Sequence, residues 1–266
     1  MSKLPLSVFI VAKNEADRIT TTINSVREFV DEIIVVDSGS DDQTVEVSTK
    51  LGAQVIYNPW EGYGQQKAFA EKQCRNEWVL NLDADEEVSP QLGQEIVKLF
   101  ESGGPACSAY TLPMLPVYSF QEKPYPWMLH NHPVRLYNRQ SAYYHDDAVH
   151  DSVIVKSGDI GHLSGHVLHR SFRSLAHHVE KMNFYSDAQA KGRSEKGKYP
   201  TFFELLVLPL FAFLKCYFFR RAFLMGTDGI VLSHMYAFQR FLRIAKTREL
   251  RTQRKTLESR STDTPD

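Results

Sequence analysis

This sequence predicts an α/β fold in which a mostly parallel sheet is flanked by helices and followed by a basic helical appendage. In the first 100 residues, short apolar runs alternate with segments of helical periodicity, as in repeated β-α units. Polar and acidic clusters follow directly after three of these runs, which is where parallel sheets bind their ligands. The chain has 266 residues, of which 42% are hydrophobic, so its composition is that of a globular protein.

Four strands and four helices are predicted in the first half of the chain. Residues 6–11 (LSVFIV) form a continuous apolar run, as in a strand buried on both faces. Apolar residues at 19, 23, 26 and 30 repeat at helical spacing. Asp41 or Asp42 is placed near the N-terminus of a helix, and Pro90 suits a first helical turn. The predicted strands are residues 6–11, 33–36, 54–57 and 78–82, and the predicted helices are residues 17–30, 44–51, 65–74 and 90–100.

The pattern changes after about residue 109. Short strands are predicted at residues 109–116, 134–137 and 153–155, and all ten histidines lie after residue 129. Residues 171–196 and 202–250 are predicted to be mostly helical. We therefore expect a division into residues 1–108, 109–199 and a helical basic appendage at 200–250. Residues 251–266 are expected to form a disordered polar tail.

Charge is unevenly distributed along the chain. Residues 1–169 carry 13 Lys and Arg against 23 Asp and Glu, whereas residues 170–256 carry 17 against 6. This asymmetry predicts an acidic catalytic part and a basic part that meets an anionic partner. The apolar run at 205–214 is expected to be too short to span a membrane, which takes about 20 residues, but it could lie in a membrane interface. No nucleic-acid-binding module is recognisable, so nucleic acid is not an expected partner.

Two further expectations concern the cellular setting. The three cysteines are far apart and odd in number, which favours a reducing compartment over a disulfide framework. The first residues show neither a basic segment nor a small-residue cleavage site, so no signal peptide is expected.

The most informative feature is the acidic cluster in residues 78–88 (WVLNLDADEEV). Carboxylates packed together repel one another, and a divalent cation is the usual compensation. Asp83 and Asp85 are two residues apart and would point to the same side of an extended segment. Their hard oxygen ligands suit Mg²⁺ or Mn²⁺, which proteins hold with one or two carboxylates plus substrate phosphates. Glu86 and Glu87 are assigned to the start of a loop without metal contact.

With these residues in view, the chain resembles family 2 glycosyltransferases of the GT-A fold. Residues 6–15 (LSVFIVAKNE), 33–42 (IIVVDSGSDD) and 81–85 (NLDAD) match the nucleotide-binding pattern of that family in order and spacing. The resemblance therefore assigns residues 1–108 to nucleotide-sugar binding and residues 109–199 to acceptor binding.

The second half of the chain resembles a bacterial subgroup typified by lipopolysaccharide-core glucosyltransferases, which act on the inner-core heptose. The matching segments are residues 134–137 (VRLY), 148–151 (AVHD), 169–170 (HR) and 220–229 (RRAFLMGTDG). The resemblance implies a peripheral location at the cytoplasmic face of the bacterial inner membrane. Separately, the aromatic and basic side chains of residues 202–223 suit an interfacial helix on anionic lipid, so residues 200–250 are expected near an anionic membrane surface.

Roles for the nucleotide-binding residues follow from the resemblance. It implies that Asp37 accepts hydrogen bonds from the uracil or ribose and that Glu15 and Lys13 contact the same nucleotide sugar. Asp83 is expected near the ribose and the metal. Asp85 is expected to ligate the cation that bridges the diphosphate, which would assist departure of UDP as a Lewis acid.

The resemblance also implies inversion by direct displacement, which requires one general base. Asp151 is the candidate base, although Asp146 and Asp147 are close enough to be alternatives. His150 and His169 are further candidates for the base, and one of them is expected to contact the metal or diphosphate.

Two departures from the family pattern bear on function. Many members have two consecutive acidic residues at the end of the second strand, whereas here the second position is Ser38. The QxxRW signature of processive members is absent, since residues 239–243 are QRFLR. The missing signature favours transfer of a single sugar over polymerisation. The resemblance implies that this sugar is a hexose, with glucose as first choice, moved from a UDP-sugar to a lipopolysaccharide-core or other glycolipid acceptor.

Other functions stay open at this point. The enzyme could serve another surface polysaccharide, or the chain could be a non-catalytic sugar-nucleotide sensor or scaffold. A nucleotidylyltransferase or a dinucleotide-dependent dehydrogenase is disfavoured, because the loop after the first strand contains no glycine.

Overall fold

A computed structural model describes residues 3–121, 124–125, 127, 131–145 and 152–262, with side chains to residue 254. The chain folds into two compact units. The first comprises Met1–Val117 and His130–Ser171, and the second comprises Tyr118–Leu129 and Phe172–Asp266. The two halves predicted to bind nucleotide sugar and acceptor thus contribute most of their residues to one unit.

Twelve strands are found in the described residues of the first unit, and most of them are short. They are β1 (Leu4–Ala12), β2 (Val30–Asp37), β3 (Gln54–Tyr57), β4 (Trp78–Asp83), β5 (Glu86–Val88), β6 (Ala109–Thr111), β7 (Met114–Pro116), β8 (Val134–Asn138), β9 (Ala142–Tyr144), β10 (Val153–Val155), β11 (Ile160–His162) and β12 (Val167–His169).

Seven α-helices accompany these strands in the described chain. They are α1 (Ile19–Asn24), α2 (Thr44–Lys50), α3 (Tyr63–Gln73) and α4 (Pro90–Glu101) in the first unit, and α5 (Leu175–Glu195), α6 (Phe202–Leu214) and α7 (Thr227–Thr262) in the second. A π-helical turn at Lys215–Phe219 and a 3₁₀ turn at Ala222–Met225 connect α6 to α7.

The central sheet has seven strands in the order β11-β6-β8-β4-β1-β2-β3. Strands β4, β1, β2 and β3 are parallel neighbours, whereas β8 runs antiparallel to both β6 and β4. Alternate residues of β1 pack on opposite faces, since Val8 and Ile10 belong to one buried cluster and Phe9 to another. The predicted α/β class, with a mostly parallel sheet and a helical C-terminal region, is confirmed.

Two smaller sheets complete the first unit. Strand β12 pairs with β5 and β7, and β9 pairs with β10. The predicted strand at 109–116 is wrong as one element, because Leu112 and Pro113 separate β6 from β7 and proline cannot donate a ladder hydrogen bond. Strands β5, β9, β11 and β12 have no counterpart in the sequence prediction. Each has three residues, which is too short for side-chain alternation to show.

The helices differ most from the sequence prediction at α1 and at the C-terminal end of the chain. Helix α1 covers Ile19–Asn24 instead of residues 17–30, because residues 25–29 form turns that lead into β2. The predicted disordered tail at 251–266 is wrong for residues 251–262, where α7 continues to Thr262.

The second unit has a small core of its own. Tyr118, Cys216, Ala222, Met225 and Leu232 are buried together, and α7 contacts both α5 and α6. A Cβ added at Gly229 would lie 1.8 Å from the Ala222 carbonyl oxygen, so only glycine permits this approach of α7 to the 3₁₀ turn. This close contact explains why position 229 is a glycine, in the segment 220–229 that was singled out in the sequence.

Acid is expected to destabilise the second unit through His178. Its ring stacks on Phe172 with centroids 3.7 Å apart, and burial together with the charges of His177 and Lys181 lowers the pKa of His178 to about 4. In the unfolded chain the His178 ring binds a proton near pH 6.5, whereas in the folded chain it does so only near pH 4. Between these two values the unfolded state is favoured by proton binding, so the free energy of unfolding is highest above pH 6.5 and falls as the pH approaches 4. We expect a loss of about 2–3 kcal/mol. Urea unfolding at pH 7 and pH 4.5 measures it, and an unchanged difference in His178→Phe would contradict the assignment.

Candidate functional site

Three strand ends meet at one edge of the central sheet. In the strand register, Ala12 of β1 pairs with Asp37 of β2, and Val11 of β1 pairs with Asp83 of β4. The polar segments that follow these strands are therefore neighbours, as the sequence predicted. This edge carries most of the predicted site residues.

Asp37 organises the loop that follows β2. Its Oδ2 atom accepts hydrogen bonds from the backbone N–H groups of Gly39 and Ser40, both at 2.9 Å, and its Oδ1 atom accepts one from the Ser40 hydroxyl. Gly39 has φ +88°, a conformation that glycine adopts without strain. The buried Asp37 carboxylate thus fixes the loop backbone. Its predicted contact with a nucleoside stays a prediction.

The loop after β1 is joined to the loop after β2 by hydrogen bonds. Asn14 has φ +56°, its N–H donates to Ser40 Oγ at 2.9 Å, and its Oδ1 accepts from the Asp41 N–H at 2.8 Å. Asn tolerates the left-handed region because its short polar side chain bonds locally. The Glu15 N–H donates to Thr44 Oγ1 at 2.8 Å. Lys13 is exposed in the same loop.

Asp83 lies between two cationic side chains. Its Oδ1 atom is 2.9 Å from Nζ of the fully buried Lys67 on α3, and its Oδ2 atom is 3.5 Å from Nη2 of Arg135 on β8. Burial would raise the pKa of Asp83, but attraction to Lys67 and Arg135 outweighs burial and holds the pKa below its usual range. Asp83 is therefore anionic at neutral pH.

Glu86 shares Arg135 with Asp83. It is fully buried, its Oε1 atom lies 3.0 Å from Arg135 Nη2, and its Oε2 atom accepts the Asp83 backbone N–H at 2.9 Å. Burial raises the pKa of Glu86 to about 7, against the attraction of Arg135. Arg135 also donates to the Asn81 side chain. The prediction that Glu86 and Glu87 begin a loop is wrong, because both lie in β5, which pairs with β12.

Asp85 has its own pair of partners. Its Oδ2 atom is 3.3 Å from Arg18 Nη1, and its Oδ1 atom is 3.4 Å from His169 Nε2. Burial would raise the pKa of Asp85, but the His169 hydrogen bond and positive charge, with Arg18, lower it overall. Burial would lower the pKa of His169, but its hydrogen bond to Asp85 and the nearby carboxylates raise it.

Arg18 ties Asp85 to the loop after β1. Its Nε atom donates to Glu15 Oε2 at 2.7 Å, and its Nη1 atom donates to the Arg170 carbonyl oxygen at 2.9 Å. The Arg170 N–H in turn donates to the Asp85 carbonyl oxygen at 2.9 Å. Glu15, Asp85 and His169 are thereby brought together from three separate segments of the chain.

The segment from Asp83 to Asp85 is not extended. Ala84 and Asp85 form a turn between β4 and β5, because the chain leaves β4 and begins pairing with β12 at Glu86. The expectation that both carboxylates point to the same side of an extended segment is therefore wrong. Asp83 contacts Lys67 and Arg135, whereas Asp85 contacts Arg18 and His169.

Asp85 and its neighbour His169 provide some, but not all, of the ligands that a divalent cation needs. Carboxylate Oδ1 of Asp85 and imidazole Nε2 of His169 are 3.4 Å apart and are both suitable ligands for Mn²⁺. No cluster of three His, Cys, Asp or Glu side chains that could hold a metal occurs in the described residues. The remaining ligands would have to come from a diphosphate and water, as is usual for Mg²⁺.

The other predicted residues cannot be placed. His150 and Asp151 lie outside the described residues, as do Asp146 and Asp147. Their predicted roles in proton abstraction and metal contact stay predictions.

Three residues of this site were given no role by sequence reasoning, namely Lys67, Arg135 and Arg18. A charged residue inside the apolar run at 134–137 was the available signal for Arg135, since an isolated charge in a strand usually has a buried partner. Lys67 and Arg18 gave no such signal, because lysine and arginine are common on helices and at their starts.

Comparison with known proteins gives consistent results for this chain. The sequence model described as "Glycosyl transferase family 2" matches residues 7–164. A protein of Rickettsia prowazekii named "Uncharacterized glycosyltransferase RP128" is 44% identical over 254 residues, which cover 92% of this chain and 87% of that protein.

Two further similarities extend over most of the chain. The "Lipopolysaccharide core biosynthesis glycosyltransferase LpsC" of Rhizobium meliloti is 33% identical over 255 residues, which cover 92% of each chain. The crystal structure of S. aureus TarS 1–349 aligns with a TM-score of 0.46 and 17% identity, covering 95% of this chain and 92% of that chain.

Proposed function

The chain belongs to glycosyl transferase family 2, and we propose that it transfers a hexose from a UDP-sugar to a lipopolysaccharide-core heptose or a related cell-envelope acceptor. Glucose is the first candidate for the sugar. Family membership confirms the resemblance seen in the sequence and the GT-A fold class. The donor, the acceptor and the metal requirement are parts of the proposal.

The observation that carries this proposal is the meeting of Glu15, Asp37, Asp83 and Asp85 at one sheet edge in a chain of this family. Ligands of open α/β sheets bind at the carboxyl ends of the strands. The acceptor class is supported separately by the similarity to LpsC, whose name specifies lipopolysaccharide core biosynthesis.

The described residues suggest how the donor would be held. Asp83 stays anionic beside Lys67 and Arg135, so it can accept hydrogen bonds from the ribose hydroxyls. Asp85 and His169 would hold Mg²⁺ or Mn²⁺. When bound, the cation supplies positive charge that offsets the negative charge on the departing diphosphate.

The acceptor hydroxyl requires a base on the face opposite the nucleotide, because direct displacement inverts the anomeric centre. Asp151 remains the candidate, with Asp146 and Asp147 as alternatives. Arg18 contacts Asp85, and both Arg18 and Arg170 line the same pocket as Asp85, so they could provide positive charge for a diphosphate held there. They would orient the leaving group without taking part in proton transfer.

The proposal is tested by incubating the full chain with UDP-glucose, Mn²⁺ and a heptose-terminated lipopolysaccharide core. We expect mass spectrometry to show the acceptor with one added hexose, together with stoichiometric UDP. Parallel reactions with GDP-, dTDP- and CMP-sugars test the donor. UDP binding without transfer to any acceptor would overturn the enzymatic proposal and favour a sensor or scaffold. Transfer only to another surface polysaccharide would overturn the acceptor assignment.

Metal removal is expected to weaken UDP binding. Because a bridging cation would join Asp85 to the diphosphate, we expect the Kd for UDP to rise by roughly tenfold or more when EDTA replaces Mn²⁺. Isothermal titration calorimetry measures this change. Uridine, which has no phosphates, is the matched control and should bind equally with and without metal. Equal UDP affinities under both conditions would contradict the metal assignment.

A further inference from the structure

Helix α6 presents a continuous apolar face to solvent. None of its residues is buried, although its sequence from Phe202 to Leu214 is almost wholly apolar. The exposed side chains recur at helical spacing and define what we call the outer face of α6: Phe202, Phe203, Leu206, Val207, Leu210 and Phe211. The most exposed of these, Phe202 and Phe203, are 71% and 74% accessible. Apolar patches of this kind mark interaction surfaces.

The opposite face of α6 is already used. It packs on α7 within the same unit, where the rings of Phe213 and His234 lie 4.8 Å apart. The capping box of Thr201 and Glu204 fixes the start of the helix, since each donates a backbone hydrogen bond to the other's side chain. The outer face is therefore the free side of a helix whose position is set by its own unit.

Charge identifies the occupant of this face. Lys215, Arg220 and Arg221 follow α6 directly, and residues 170–256 carry 17 Lys and Arg against 6 Asp and Glu. Two copies of this chain that met through this same face would bring like positive charges together and be repelled. An anionic membrane offers an apolar layer for the exposed side chains and negatively charged headgroups that attract Lys and Arg.

The packing of α7 determines how α6 would meet the bilayer. By length and composition alone, Phe202–Phe219 is the one helical stretch in the described residues that could cross a membrane, with mean hydropathy 1.9. This stretch of 18 residues is longer than the ten-residue apolar run at 205–214, which the sequence analysis expected to be too short to span a membrane. However, α7 packs beside α6 and carries Asp228, Arg240 and Arg243. A crossing α6 would carry these charges into the hydrocarbon, which is costly.

We propose that the outer face of α6 inserts into one leaflet of an anionic phospholipid membrane, with the helix lying in the membrane plane. The inference goes beyond sugar transfer and does not depend on it, because vesicle binding is measured without a donor or an acceptor. Its failure is therefore distinguishable from failure of the proposed function.

The experiment is flotation of the full chain with vesicles of phosphatidylcholine and phosphatidylglycerol. We expect binding to these vesicles at low salt, and weaker binding to pure phosphatidylcholine or in 0.5 M NaCl (about a threefold excess over physiological ionic strength). The double variant Phe203→Ser, Phe211→Ser removes two rings from the outer face and is expected to bind roughly tenfold more weakly or worse. Both rings are exposed, so the fold should be retained, which circular dichroism checks.

Phe184→Ser is the matched control. Phe184 is 71% exposed on α5, outside the outer face of α6, and its loss is expected to leave vesicle binding unchanged. An equal loss of binding in this variant would overturn the assignment to α6. Full-length chain that ignores the anionic vesicles would overturn the proposal altogether.

Two further outcomes separate the alternatives. Release of the bound chain by alkaline carbonate supports an in-plane helix, whereas retention would overturn it in favour of a spanning helix. Light scattering without lipid tests a second copy as the occupant. A dimer that dissociates on Phe203→Ser, Phe211→Ser would assign the face to self-association and overturn the lipid proposal.

Discussion

Replacement of Asp85 by asparagine is expected to lower kcat/KM for sugar transfer by about a hundredfold or more. The substitution keeps the shape of the side chain and removes its charge. Asp85 is the carboxylate whose Oδ1 atom lies 3.4 Å from the His169 imidazole, so these two groups would form the donor pair of the proposed cation site. Without the charge, the diphosphate would lose the cation that offsets its developing negative charge.

The assay is initial-rate UDP release with a saturating acceptor and varied UDP-sugar. Glu46→Gln is the control, because Glu46 lies on α2, has no role in the proposed site and forms an exposed ion pair with Lys50 at 2.6 Å. It is expected to stay within about threefold of wild type, as a surface ion pair contributes little. Near wild-type turnover in Asp85→Asn would remove Asp85 from catalysis.

The Asp85 variant also has a signature in binding. If Asp85 acts through the metal, the affinity of Asp85→Asn for UDP should no longer respond to EDTA, whereas the wild-type affinity should fall. A variant that loses turnover but keeps a metal-dependent Kd would indicate a role other than metal binding. Thermal unfolding of both proteins excludes loss of the fold as the cause.

Replacement of Arg135 by methionine is expected to lower the free energy of unfolding by about 3–5 kcal/mol. The Arg135 guanidinium contacts Asn81, Asp83 and Glu86, and Glu86 is fully buried. Methionine has a similar length but no charge, so Glu86 would lose the cation that lies 3.0 Å from its Oε1 atom. Urea unfolding at pH 8.5 measures the loss, because the pKa of Glu86 is about 7 and its carboxyl is ionised beside Arg135 at this higher pH.

Two variants test the cause of this loss. Arg139→Met follows the same strand but removes hydrogen bonds to the carbonyl oxygens of Asn76 and Glu71, at 2.9 and 3.2 Å, and is expected to cost about 1–2 kcal/mol. Adding Glu86→Gln to Arg135→Met removes the unpaired carboxyl and should recover part of the stability. A cost below about 1 kcal/mol for Arg135→Met would contradict the assignment.

Much of the nucleotide half could be predicted from local sequence. The predictions of strand β3 and of the start of α4 at Pro90 are correct, because apolar runs and proline act on their own neighbourhood. Glu15, Asp37 and Asp83 could also be placed at strand ends, because each of them follows one of the predicted apolar runs. The short strands β5, β9, β11 and β12 could not be predicted, since three residues carry no period and these segments lack the continuous β-branched run that marked Val153–Val155 of β10.

The α/β class, the family and the acidic edge of the sheet could all be inferred from the amino-acid order, because they depend on periodicity and on short motifs. The cations that meet those acids could be identified only from the folded chain. Arg135 reaches Glu86 across 49 positions of sequence, and Arg18 reaches the Arg170 carbonyl across 152. Such pairs depend on the antiparallel insertion of β8 beside β4 and on the pairing of β12 with β5, which leave no periodic trace in the chain.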